Sequence, residues 1–176
     1  MVINKMKKQK PAKKKNKKVI KKKAVVKVPI IPFEFLSHTA DIKFRAYGKS
    51  LEEAFVNCAM AVKETITKSN VSATITKGCG MMADDLEGLL QNFLEEIIFL
   101  FDSENFIISR VEKIRIIKDD NGFSLSCDFA GDVTDGKDLE GKSYDFEEHI
   151  KAITYHEMSI KKTNNGSYEI EVVLDV

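Results

Sequence analysis

From Leu86 to Phe101 the chain places Leu86, Leu89, Leu90, Phe93, Leu94, Ile97 and Phe101 at helical spacing. A stripe this broad is too apolar for a surface helix, so the segment is expected to be the central core element around which the rest must pack. Asp84 or Asp85 caps its start. An earlier helix is announced by Ser50 and Glu53, the spacing of a capping box, and Leu51, Phe55, Cys58, Val62 and Ile66 form one apolar stripe along it.

The remaining apolar segments alternate with the period of strands. Ile42, Phe44 and Ala46 alternate with Lys43, Arg45 and Tyr47 up to Gly48. Val71 to Thr76 is β-branched and is expected to form a strand that ends at Gly78 and Gly80. Ile107–Ile108 and Val111 to Ile117 are β-prone; Asp120-Asn121-Gly122 then turns the chain into the alternation of Phe123, Leu125, Cys127 and Phe129. Residues 131–148 read as a polar, glycine-containing loop, long enough to suggest function rather than simple connection. Lys151 to Ile160 returns to strand, Asn164-Asn165-Gly166 marks a second hairpin turn, and Tyr168 to Leu174 closes the chain. The expected fold is α+β, two helices packed on a mainly antiparallel β-sheet in a single domain spanning 33–176.

Residues 1–27 carry thirteen lysines and no acidic residue. The rest of the chain keeps 15 of the 28 basic groups and all 27 acidic ones, a formal charge of −12 that the whole-chain value of +1 conceals. A block of like charge with few apolar residues cannot offset its ordering entropy, so 1–32 is expected to be a disordered basic tail. Three readings stand for it: a neutral solvated extension, a nuclear-targeting segment, or a contact to phosphate backbones or an acidic partner. It has neither the apolar run of a secretory signal nor the arginine and serine enrichment of a mitochondrial presequence. No apolar stretch approaches the roughly 20 residues that span a bilayer. The expectation is a soluble protein of the cytoplasm and/or nucleus, with no membrane partner.

The three cysteines, Cys58, Cys79 and Cys127, form no CxxC pair, so neither a zinc knuckle nor a redox motif is indicated. Cys58 and Cys127 fall on apolar faces and read as small buried hydrophobes. Cys79, between two glycines, has no assigned role. There is no Gly-x-Ser-x-Gly elbow, Walker lysine or dinucleotide-binding turn, so nucleophilic catalysis has little support.

Three separated segments carry the functional signal. They are Ser37-His38-Thr39-Ala40-Asp41, Lys151-Ala152-Ile153-Thr154-Tyr155-His156 and the closing Leu174-Asp175-Val176. A strand ending in Asp beside an α-carboxylate puts two negative charges within one residue, which is costly unless a cation or solvent screens them. If the strand after Asp41 lies beside this end, three carboxylates surround one point and suit a hard divalent ion. By themselves, Asp41 reads first as a turn cap and Asp175–Val176 as a frayed, solvated terminus.

These segments also resemble a known family. Phe35 to Asp41 with Ala46 to Phe55, Asp84 to Leu90 with Phe93 to Glu96, Lys151 to His156 and the final Leu-Asp-Val resemble the archease proteins, in order, from about Phe33 to Val176. Two stretches depart from the pattern: Gly131-Asp132 stands for Gly-Glu and Lys142-Ser143 for Lys-His, so no family role passes to Ser143. The resemblance implies a metal site at Asp41, Asp175 and Val176, the last through its backbone carboxylate if it is the natural end. Calcium comes first among the ions, with magnesium or manganese as alternatives. It also implies partner-binding or activating roles for Lys151, His38 and His156, where Lys151 would engage an acidic group or a phosphate on the ligase–nucleotide complex. By themselves, Lys151 reads as a solvated strand lysine, His38 equally as a partner of the Asp41 carboxylate or a satisfied structural histidine, and His156 with the same ambiguity. His149 reads as a bystander.

The function, too, is implied by the resemblance. The family consists of non-catalytic, chaperone-like activators of the GTP-dependent RNA ligase of tRNA splicing, promoting its guanylation and multiple turnover. Contact with RNA would be indirect or through the lysine tail, since a body of −12 is unsuited to gripping phosphates. The rival readings are a small metal-dependent hydrolase acting on RNA ends and a passive RNA-binding adaptor.

Overall fold

The structure, a computed structural model, describes residues 31–138 and 140–176. The lysine-rich segment, and the expectation of disorder placed on it, lies outside the described residues. The elements run β1 (Phe33–Leu36), β2 (Ile42–Gly48), α1 (Leu51–Ile66), β3 (Ile75–Ala83), α2 (Leu86–Glu104), β4 (Phe106–Asp119), β5 (Gly122–Val133), β6 (Ala152–Lys162) and β7 (Tyr168–Asp175).

Both helices begin where their side chains dictate. The Ser50 hydroxyl accepts the Glu53 amide at 3.2 Å, satisfying one orphan donor at the start of α1, and the Glu53 carboxylate accepts the amide of Lys49, just before the cap, at 2.7 Å. Asp85 accepts the Gly88 amide at 2.7 Å and caps α2. That helix ends on Asn105, left-handed at φ 51°, a residue type that tolerates this conformation. Gly48 joins β2 to α1 so closely that a Cβ on it would lie 2.2 Å from the Ala54 nitrogen.

As the stripe predicts, α2 is central: Leu89, Leu90, Phe93 and Leu94 are fully buried. The Phe93 ring lies 5.8 Å from Phe55 of α1 and 5.6 Å from Phe129 of β5. One aromatic column thus ties both helices to a strand. Burying each such ring contributes about 1.5–3 kcal/mol by area alone.

The strands are all antiparallel but divide into two sheets, ordered β1-β2-β7-β6 and β3-β5-β4, rather than forming one. Both helices pack against strands of both sheets. β1 extends the first sheet with a strand that the periodicity did not announce. A second correction concerns β3, which does not end at the glycines but runs through Gly78 and Gly80 as far as Ala83. These glycines lie on the outward side of an edge strand, opposite Asp128 and Ser126, while Lys77, Cys79, Met81 and Ala83 face inward. Pairing with β5 overrides the weak intrinsic preference of glycine for a strand.

The long loop starts after Val133 and is anchored from within. Tyr144, 5% exposed, packs with Val71 and Ile107, and its hydroxyl lies 2.7 Å from the carboxylate of Asp132. Thr74 donates to the other oxygen of that carboxylate at 2.5 Å. Burial pushes the Asp132 carboxyl up, but hydrogen bonds from Thr74, Tyr144 and the Val133 amide outweigh it and hold the group below the ordinary range.

Candidate functional site

The register of the four-stranded sheet assembles the site. Leu174 of β7 is opposite Ile42 of β2 on one side and Ile153 of β6 on the other, three apolar residues facing the core. One step outward Asp175 is opposite Ala152, and on the β2 side the same register leads from Ile42 to Asp41. Segments more than a hundred residues apart in sequence therefore end together. Ala40, which turns the chain into Asp41, is held at φ 69°, a left-handed conformation disfavoured for a residue with a Cβ.

Lys151 joins the same edge. Its amide donates to the Asp175 carbonyl at 2.8 Å, extending the β6–β7 ladder by one bond. Its ammonium donates to the backbone oxygen of Val176 at 2.8 Å and lies 3.9 Å from the Asp175 carboxylate.

His38 lies between two carboxylates, with Nδ1 3.7 Å from Asp41 and Nε2 4.0 Å from Glu157. Glu157 reaches it through a bulge. On β6, Thr154 is opposite Val173 and Ser159 is opposite Glu171, so Tyr155 to Met158 are set against Val172 alone. Glu157 itself is left-handed at φ 64°. The bulge carries its carboxylate across β7 to the Lys43 ammonium of β2 at 3.0 Å, and Lys43 also lies 3.2 Å from Glu171. Arg45 completes the row, 2.5 Å from Glu171. Glu157 first and Glu171 second hold the Lys43 ammonium above its ordinary value. Hydrogen bonds hold both carboxyls below theirs, from Lys43 to Glu157 and from Arg45, then Lys43, to Glu171.

Sequence reasoning missed this ion-pair row. The alternation of Lys43 and Arg45, and of Glu169 and Glu171, was the available signal. His156 lies exposed on the bulge, on the same sheet as the cluster but one residue away from the His38–Glu157 contact. His149 is elsewhere, 3.1 Å from Asp102 at the end of α2.

Asp41, Asp175 and the backbone oxygen of Val176 are hard donors at the ends of adjoining strands, chemistry that fits calcium, magnesium or manganese. Among the described residues no three His, Cys, Asp or Glu side chains gather as a metal site. A site here must therefore take its third ligand from the main chain. Beside Asp41 and His38 opens a groove of ≈ 440 Å³ whose wall includes Phe35, Glu64, Lys68, Glu147 and Glu148. Its charge is predominantly negative, since Lys68 is already paired with Glu147 at 3.0 Å.

No helix among the described residues is long and apolar enough to cross a membrane. The profile of the Archease protein family (MTH1598/TM1083) matches residues 33–176. The chain is 37% identical over 146 residues to the protein archease of Methanosarcina barkeri, covering 82% of this chain and 95% of that one. It is 35% identical over 153 residues to a Drosophila melanogaster protein archease-like, covering 85% and 93%. The solution structure of Methanobacterium thermoautotrophicum protein 1598 superposes with a TM-score of 0.67 at 30% identity, over 82% of this chain and 99% of that chain. With its profile, its relatives and its fold in agreement over the same residues, the chain belongs to the archease family.

Proposed function

We propose that the protein is a non-catalytic activator of a GTP-dependent RNA ligase in tRNA splicing, and that the edge formed by Asp41, Lys151, Asp175 and Val176 is its working site. The observation that carries this reading is the convergence of the three family-like segments at one end of one sheet. Asp41, Asp175 and the Val176 backbone oxygen would hold a divalent ion, calcium foremost. Such an ion supplies charge neutralisation at an acidic edge.

The chain's own residues do the rest. Lys151 orients the end of β7 through its ammonium and its amide. His38 bridges Asp41 to the Glu157 bulge and holds the Asp41 turn against the sheet. The acidic groove beside them presents Glu64, Glu147 and Glu148 to a cationic partner surface, as the nucleotide site of a GTP-using ligase must be. Docking there would favour the arrangement in which the ligase accepts guanylate, so that each ligase molecule is reloaded for another turnover.

A ligation assay with the cognate ligase tests the proposal. Substoichiometric protein should raise the number of ligase turnovers while neither cleaving nor joining RNA alone. Asp41→Ala and Lys151→Ala should each abolish the rise with the thermal transition retained. Metal-dependent processing of RNA ends by the isolated protein would establish a hydrolase instead. Stimulation lost on removing residues 1–27, but kept in Asp41→Ala, would establish an RNA-binding adaptor.

A further inference from the structure

Two of the three cysteines, unrelated in sequence, are placed directly opposite one another. Cys79 of β3 is the register partner of Cys127 of β5. Directly opposed residues of an antiparallel ladder have Cα atoms about 4.5 or 5.5 Å apart, and either spacing is within the range that a disulfide spans. Both side chains point to the same face of the sheet. We propose that Cys79 and Cys127 form a reversible cross-strand thiol–disulfide site, oxidised by small hydroperoxides, on the open edge of the β3-β5-β4 sheet. The proposal is independent of the ligase reading.

Two observations divide the roles between the two sulfurs. The first is access. β3 is an edge strand and Cys79 is only partly buried, whereas Cys127 is 5% exposed. The second is polarity. The neighbouring Cys127 thiol lowers the Cys79 value against the opposing pull of burial and of Glu96. Its Cys79 neighbour first, and burial second, push Cys127 up. Cys79 is thus the attacking thiolate and Cys127 the resolving thiol. Cys58, fully buried in α1 and pushed up by burial alone, takes no part.

The chemistry balances with one hydroperoxide. The Cys79 thiolate attacks a peroxide oxygen and the O–O bond breaks. Sulfur becomes a sulfenic acid, and the departing hydroxide recovers the thiol proton to leave as water. The Cys127 sulfur then displaces the sulfenic oxygen, forming the S–S bond, and its proton leaves with that oxygen as a second water. Two thiols lose two electrons and two protons, and the peroxide is reduced.

The test uses the full chain, treated with hydrogen peroxide, quenched, denatured and alkylated before intact-mass and peptide analysis. Expected are the loss of two hydrogens, one alkyl group in place of three, and a linked peptide pair containing Cys79 and Cys127, all reversed by dithiothreitol. In Cys127→Ser, oxidation should stop at a Cys79 sulfenic acid that dimedone captures; the wild-type map stands without this variant should it fail to fold. Three alkylated cysteines after peroxide, oxidation of Cys79 to sulfinic acid with no linkage, or a disulfide only between molecules would each overturn the proposal.

Discussion

The Lys151 ammonium donates to the backbone oxygen of Val176 at 2.8 Å, so the end of β7 carries its own counter-ion. An ammonium and a divalent cation cannot both occupy that oxygen without repulsion. Lys151→Ala should therefore bind calcium a few-fold more tightly at low salt, while losing ligase stimulation. Calorimetric titration checks the first half; unchanged or weaker affinity would mean that the two cations do not compete.

Extending the chain by one residue after Val176 tests the main-chain ligand. Val176 would then offer a single, neutral peptide carbonyl oxygen. Divalent affinity should fall about as far as in Asp41→Ala, by tenfold or more, with the melting temperature of the metal-free protein unchanged. Full-affinity binding by the extended protein would remove Val176 from the ligand set.

Asp132 should make stability depend on acid. Its carboxyl is held below the ordinary value in the folded chain, so its contribution is complete above the unfolded value of about 3.9 and is lost as pH falls through the folded one. Asp132→Asn should cost about 1–3 kcal/mol at neutral pH and flatten the decline of stability below about pH 4. Urea midpoints measured across that window report both effects.

Phe93→Ala empties the centre of the aromatic column between Phe55 and Phe129. The loss should be about 3–5 kcal/mol in urea unfolding, among the largest of any single truncation in the chain. A cost near 1 kcal/mol would mean that the two rings collapse onto each other.

What the sequence determined by itself is what neighbours along the chain decide. The caps at Ser50 and Asp85, the central stripe of α2 and the Asp120–Gly122 hairpin are contacts within four residues, and each stands where the local pattern puts it. The segments carrying Asp41, Lys151, Asp175 and Val176 were also legible as family-like, and their meeting required only that their strands be neighbours. Tertiary structure alone decided the rest. The division into two sheets, the passage of β3 through its glycines, the bulge that brings Glu157 to Lys43, and the pairing of Cys79 with Cys127 all depend on register between distant segments. The anchoring of the long loop by Tyr144 on Asp132 is of the same kind. Period-2 alternation says which side of a strand faces the core but not which strand lies beside it. That choice is made by how all the apolar faces close around α2, and no short window of sequence contains it.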